Sequence, residues 1–401
     1  MPDLSKRLLV LLVTVAGLVA VERIPIPGVD TEAVAMWTAQ AGWTPSALSV
    51  GALGVMPWLT AAVLLELLAL FVPSWREIRT SGAEARAVFE RFTPWAWLVL
   101  AAIQALAMAM SLEIMRVGNT PLVGEPGIGF RLVVVLSLVA GSAVCVGLCQ
   151  WCARDGLGAG LLVALGLMWT EEPWIWWMNV QLGEVTLLTP AVLLAVAVGL
   201  LALRTPGRTL RLSVAGLVPL GVVVQALSIY YVDLSNPVLL LLGVLVPTAL
   251  LGVLFQMPDL VAALKGVPQP LVQRDLTTGV LVNTVVVAGL VYGVVELGLP
   301  TFGVELFVVP AVLWDLASEW RARSSGLSTE VWQLHRMYAV EPALDALNAA
   351  GIPAASRGDR TRSLLHFFGP YVPVGILVEA SRADEARAVL ARRLATGAPT
   401  A

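Results

Sequence analysis

The stretch Ile24-Pro25-Ile26-Pro27-Gly28-Val29-Asp30 decides how this chain leaves its first apolar segment. Proline fixes φ and lacks a backbone N–H, and the residue before it is driven toward extended conformations. Two alternating prolines therefore end a helix and begin a rigid, extended exit. The run before them, roughly 8–22, follows Lys6 and Arg7 as a signal peptide would, but it ends without a small-residue cleavage site. We expect a retained membrane span.

The composition of the 401-residue chain is that of a membrane protein: 58% of the residues are hydrophobic, 13% are charged, and the mean hydropathy is +0.83. Long apolar runs of about 20 residues predict bilayer-spanning helices. We place ten spans at approximately 8–22, 53–72, 95–112, 131–150, 158–170, 185–203, 213–231, 237–255, 277–296 and 302–318.

Lysine and arginine determine the expected orientation, because they concentrate on the cytoplasmic side of a membrane protein. With these ten spans, fourteen basic residues fall on the side of the N-terminus and three, Arg23, Arg116 and Arg131, on the other. Both termini are therefore predicted to be cytoplasmic.

A second stretch, Ala52-Leu53-Gly54-Val55-Met56-Pro57-Trp58-Leu59-Thr60, opens the second predicted span. The two stretches in this order resemble the SecY family of protein-conducting channels, which carry IPIPG and ALGIMPYI around a plug segment. Shorter resemblances continue through the tenth span, among them Ile103-Gln104-Ala105, Ala215-Gly216-Leu217-Val218-Pro219 and Trp314-Asp315. The resemblance implies an α-helical polytopic membrane protein of ten helices, in two inverted five-helix halves around a pore, at residues 1–323. It also implies location in the inner (plasma) membrane.

The resemblance also implies a pore ring of apolar side chains that seals by excluding water. Its positions fall on Val55, Leu59, Leu165 and Val308. The seventh-span position is Gly221, which has no side chain to contribute. The plug (37–51) and the lateral gate, between spans two/three and seven/eight, include Ser49, Glu66, Gln104 and Pro219.

Catalysis finds no support in the sequence, which has no nucleophile triad, phosphate-binding loop or dinucleotide glycine motif. We expect no enzyme activity and no cofactor. Cys145, Cys149 and Cys152 share one helix face, but both histidines are far away in sequence, so we expect helix packing and no metal site. Glu66 lies inside the second span, where an ionisable group is costly and faces a cavity or a partner. It keeps open the alternative of a small-molecule transporter that uses this carboxylate.

The chain changes character after residue 323. We predict helices at 341–350 and 383–394, strands at 352–356 and 374–378, and a first strand within 331–339. Residues 330–401 should form a cytoplasmic α+β sandwich, which resembles small ferredoxin-like signal-transducing domains.

The partners implied by the family are SecE-like and SecG-like small membrane subunits, polypeptide substrates and the lipid bilayer. Its ribosome or motor ATPase docks on two basic loops, which are short here and retain Arg204, Arg208, Arg211 and Lys265. We therefore expect weak or no binding of either. The leading function is polypeptide translocation or membrane insertion, and a second alternative is a non-translocating paralogue that regulates or scaffolds.

Overall fold

The structure is a computed structural model that describes residues 2–41, 48–72, 74–75, 83–118, 120–157, 305–334, 340–364 and 373–396. Within these ranges, the side chains of some helical residues, including Glu66 and Val308, fall outside the described part. Among the described residues, Lys6–Gly156 form one compact unit and those after residue 304 belong to another.

The N-terminal unit is built of helices. In chain order these are α1 (Pro2–Val21), α2 (Thr31–Ala41), α3 (Met56–Phe71), α4 (Ala83–Ile114) and α5 (Ile128–Asp155). A two-stranded hairpin of β1 (Arg116–Val117) and β2 (Thr120–Pro121) connects α4 to α5. In the described part of the chain, three helical segments are long and apolar enough to cross a membrane: Leu4–Val21, Arg91–Ile114 and Ile128–Asp155. They confirm helices at the predicted first, third and fourth spans.

Helices α1 and α5 run in opposite directions. At one end, the Arg7 guanidinium donates a hydrogen bond of 3.2 Å to the carbonyl oxygen of Gly156. At the other, the Asp30 N–H donates one of 2.9 Å to the Leu122 carbonyl oxygen in the α4–α5 connection. Lys6 and Arg7 therefore lie at the same end of this unit as the last turn of α5, which agrees with alternate crossing of the first four predicted spans.

The extended exit predicted from the two prolines is confirmed. Pro25 forms an antiparallel bridge with Ser49, and the Val50 N–H donates a hydrogen bond of 2.8 Å to the Ile24 carbonyl oxygen. Gly28 then adopts a φ of +84°, a conformation that side chains rarely allow, with the Phe130 ring against it. The exit is thus paired with the segment that precedes α3.

Helix α2 is an element that the sequence analysis does not predict. The Asp30 carboxylate caps its first turn by accepting hydrogen bonds from the N–H groups of Glu32 (2.9 Å) and Ala33 (3.3 Å). Aspartate before the first helical residue and glutamate in the first turn are ordinary signals of a helix start. These signals are present in the sequence and could have located α2.

After residue 304 the chain forms helix α6 (Glu305–Ser324) and a three-stranded sheet with helices. The remaining elements are β3 (Thr329–Leu334), α7 (Val340–Ala349), β4 (Ala354–Arg357), α8 (Asp359–Leu364), β5 (Val374–Val378), a 3-10 turn (Ala380–Arg382) and α9 (Ala383–Thr396). The strand order is β3-β5-β4, with both pairs antiparallel.

Most of the elements predicted in this segment are confirmed. Helices α7 and α9 and strands β4 and β5 lie within a few residues of their predicted positions. The first strand runs from Thr329 to Leu334, so it begins two residues before the predicted range 331–339. Helix α8 is not predicted. One face of β5 packs against α7 and α9 through Ile376 and Val378, with Leu347 and Leu390 fully buried in the same core. The boundaries 1–323 and 330–401 stay predictions.

Candidate pore region

The turn that precedes α3 lies against the middle of a long membrane helix. Residues 48–55 are non-helical or form single turns, and they meet α5 at Gly141 and Ser142, near the midpoint of its 28 residues. A Cβ atom at Gly141 would collide with the carbonyl oxygen of Val50. Glycine is therefore required here to let two backbones approach each other.

A short chain of hydrogen bonds holds this turn in place. The Ser142 hydroxyl donates a bond of 2.8 Å to the carbonyl oxygen of Gly54 and accepts one of 3.1 Å from the Trp97 indole N–H. Ser142 is fully buried, so both of its polar contacts are made inside the protein. Gly54 has a φ of +46°, which turns the chain from this segment into α3.

Val55 and Leu59 lie where α3 begins. Their exposed fractions are 1% and 0%, and the Leu59 N–H donates a hydrogen bond of 3.1 Å to the Val55 carbonyl oxygen. Residues four apart share a helix face. Helix α3 has 16 residues and spans about 24 Å, less than the ~30 Å hydrocarbon core. Because the turn before α3 contacts the midpoint of α5, the first turn of α3 starts within the depth of the membrane that α5 is long and apolar enough to cross.

Three of the four predicted plug and lateral-gate residues lie among the described residues. Ser49 is buried in the segment that pairs with the proline exit. Gln104 lies half-buried on α4, and Glu66 lies on α3 with its side chain outside the described part. Their assignment to a plug or gate stays a prediction.

The other predicted site residues lie outside the part of the chain whose side chains are described. Val308 lies on α6, but the surroundings of its side chain are not described. The remaining positions are outside the described residues altogether: Leu165, Arg204, Arg208, Arg211, Pro219, Gly221 and Lys265. Convergence of the four ring residues on one axis is therefore still a prediction.

Sequence reasoning missed an ion pair that closes the α4–α5 connection. The Glu113 carboxylate accepts hydrogen bonds from the Arg131 guanidinium, the shortest at 2.6 Å, and one of 2.8 Å from the Gly127 N–H. By sequence, Arg131 is only a charge at the edge of a span. An acidic residue at the end of one predicted span and a basic one at the start of the next was the available signal.

The three cysteines are all buried along α5, as the packing interpretation expected. Among the described residues, no group of three or more histidine, cysteine, aspartate or glutamate side chains is arranged to hold a metal ion.

Part of this chain is similar in sequence to known proteins. Residues 49–203 match the family model for SecY. The "Protein translocase subunit SecY" of Escherichia coli (strain K12) is 31% identical over 179 residues, which are 41% of this chain and 39% of the relative. The same-named protein of Aquifex aeolicus (strain VF5) is 30% identical over 161 residues, covering 36% and 38%. These matches span about two fifths of the length of the relatives.

A solved structure extends the likeness of the fold. Sec61 in the canine ribosome-channel complex from the endoplasmic reticulum superimposes with a TM-score of 0.56, covering 80% of this chain and 93% of that chain. The sequence identity is 11%, so this comparison concerns the fold alone. The chain therefore has a fold similar to that of Sec61, and its residues 49–203 are similar in sequence to the SecY family.

Proposed function

We propose that this protein is a protein-conducting channel for the translocation or membrane insertion of polypeptides. The relatives it matches are named protein translocase subunits, and its fold is similar to that of a channel in a ribosome-channel complex. A pore for polypeptides requires no reactive group, which is consistent with a sequence that lacks catalytic motifs.

The observation that carries the proposal is the irregular segment 48–55 against the middle of α5. Non-helical backbone at membrane depth is tolerated only where protein buries it or where it lines a water-filled cavity. Here Gly54 and Val50 meet α5 through their carbonyl groups, and Val55 and Leu59 follow directly. The arrangement supports a closed channel in which these two side chains form part of the seal, with Leu165 and Val308 as the proposed remainder.

The wider architecture belongs to the same proposal. It comprises ten transmembrane helices in two inverted halves. The protein lies in the inner membrane with both termini in the cytoplasm, where residues 330–401 form an α+β domain. The basic residues, divided fourteen to three, support the orientation. SecE-like and SecG-like small subunits are the proposed partners, since the relatives are named as subunits of a translocase.

Site-specific photo-crosslinking tests the function. A crosslinking amino acid replaces Leu59 in the full-length protein, and cells then express a secretory precursor stalled during export. The matched control places the same group at Leu132, an apolar residue of α5 that is 60% exposed on the outside of the unit.

We expect the precursor to crosslink to position 59 and not to position 132, because only the first would face the conduction path. Equal crosslinking at both positions, or none at position 59, would contradict a channel. The second outcome would favour a paralogue that regulates or scaffolds.

A further inference from the structure

Helix α6 buries charged side chains on one face and exposes large apolar side chains on another. Its buried stripe carries charge, since Asp315, Glu319 and Arg323 are 6%, 1% and 7% exposed. Its opposite stripe carries apolar side chains, since Leu313, Trp314 and Trp320 are 60%, 37% and 43% exposed. A helix at the surface of a water-soluble protein shows the reverse pattern.

The charged stripe is explained by the elements that follow α6. The Glu319 carboxylate accepts hydrogen bonds from Arg323 (2.8 Å) and from Arg357 of β4 (3.1 Å). The Arg357 guanidinium also donates a hydrogen bond of 3.0 Å to the carboxylate of Glu330 in β3. Burial lowers the pKa of Arg357, but the charges of Glu319 and Glu330 outweigh this effect and raise the pKa above its usual value. The guanidinium therefore remains charged between its two carboxylates.

A second contact is made one turn earlier on the same stripe. The Asp315 carboxylate accepts hydrogen bonds from the N–H (2.7 Å) and the hydroxyl (2.5 Å) of Thr361 in α8. Around Glu319, removing Arg323 or Arg357 would leave a buried carboxylate without one of its cations. These hydrogen bonds thus hold the end of α6 to β4 and α8.

The exposed apolar stripe of α6 has the composition of a helix face that contacts lipid. Trp314 and Trp320 are six residues apart, about 9 Å along the axis. Since the headgroup layer of a bilayer is ~5–8 Å thick, a helix that enters the membrane here places the two rings in this layer or at its edge. Tryptophan is enriched at that layer because its ring is apolar and its N–H is polar. The basic side chain of Arg360 lies over the Trp314 ring at 5.2 Å, and Arg321 is exposed beside Trp320. Indole rings flanked by arginines match the chemistry of the lipid interface.

We propose that the stripe of Leu313, Trp314, Ala317, Trp320 and Arg321 lies in the bilayer interface and holds the C-terminal sheet against the membrane surface. Leu313 lies toward the acyl chains and Arg321 toward the headgroups. The sheet and its helices then keep a constant position at the membrane surface. The proposal requires only that α6 meets the bilayer, and it does not depend on polypeptide conduction.

Spin labelling of the full-length protein in phosphatidylcholine vesicles tests this placement. Ala317→Cys, exposed in the middle of the stripe, is labelled and its collisions with oxygen and with a water-soluble nickel chelate are compared. The matched control is Ala388→Cys, which replaces another exposed helical alanine, on α9. The unsubstituted protein sets the background, because its three cysteines are buried.

We expect the label at position 317 to collide at least about threefold more with oxygen, relative to the chelate, than the label at position 388. Equal ratios at the two positions would place the stripe in water and overturn the proposal. Protection at position 317 from both reagents would show that protein covers the stripe, and would overturn it equally. If Ala317→Cys does not fold, Leu313→Cys is read in the same way.

Discussion

The carbonyl oxygen of Val50 packs directly on Gly141, in a space that no side chain at position 141 could share. The two residues are 91 positions apart in sequence, and their contact places an irregular segment against the midpoint of a membrane helix. Ser142, the next residue, holds the same segment through the Gly54 carbonyl oxygen. One turn of α5 thus supplies both the space and the hydrogen bond that fix the entry to α3.

Replacing Gly141 with alanine should destabilise the protein, because the new Cβ must displace the backbone of the 48–55 turn. Overpacking of this kind costs about 1–3 kcal/mol of unfolding free energy. Thermal unfolding of the purified protein in detergent measures it. The matched control is Gly147→Ala on the same helix, where a Cβ meets nothing within 4 Å. An equal loss of stability in both variants would show that the close approach does not matter.

Replacing Leu59 with serine should increase ion leak through the protein in reconstituted vesicles. A hydroxyl admits water where an apolar side chain excludes it, and a constriction that gates by dewetting then conducts. Leu64→Ser is the control, because Leu64 is on the same helix but 38% exposed. The pore assignment of Leu59 fails if the control leaks as much as the Leu59 variant.

Much of the N-terminal unit was predictable from local signals. The prolines at positions 25 and 27 end the first helix as expected, and uniform apolar runs locate α4 and α5. The contact between the Val50 carbonyl oxygen and Gly141 was not predictable, because no sequence pattern pairs positions 50 and 141. The second span is predicted from residue 53, whereas α3 starts at Met56, since the Gly54 turn delays it.

The end of α6 shows a different limit of sequence reasoning. Its charges predict the cytoplasmic end of a span, with Arg321 and Arg323 counted alike. Arg323 is instead buried against Glu319, and the helix continues past the predicted end at residue 318 to Ser324. A charge pattern cannot distinguish a solvated loop from a buried network whose partners, such as Arg357, follow more than thirty residues later.

Replacing Arg357 with alanine should loosen the sheet from α6. Breaking a buried ion pair by removing one member costs about 3–5 kcal/mol, because Glu319 and Glu330 lose their shared cation. Hydrogen exchange at the β5 amides of the intact protein measures the loss. The control is Arg387→Ala, whose exposed pair with Asp384 contributes roughly 0–1 kcal/mol. Unchanged exchange in the Arg357 variant would show that the network does not hold the sheet.

Replacing Glu113 with glutamine should increase hydrogen exchange in residues 116–127, the connection between α4 and α5. The amide keeps the shape of the carboxylate but loses the charge that Arg131 and the Gly127 N–H contact. The matched control is Glu125→Gln, at an exposed position of the same connection. If both variants exchange alike, the ion pair does not close this loop.

Ribosomes and the motor ATPase should bind this protein weakly or not at all. The loop that contains Arg204, Arg208 and Arg211 has roughly eight residues, so even fully extended it reaches only ~13 Å out and back at about 3.3 Å per residue. Too short to protrude, it presents few cations to RNA phosphates or to an acidic surface. Co-sedimentation with ribosomes at physiological salt measures the binding, with canine Sec61, known from a ribosome-channel complex, as the positive control. Binding as strong as that of Sec61 would show that short loops suffice, and loss of that binding in an Arg204, Arg208 and Arg211 triple glutamine variant would assign it to this loop.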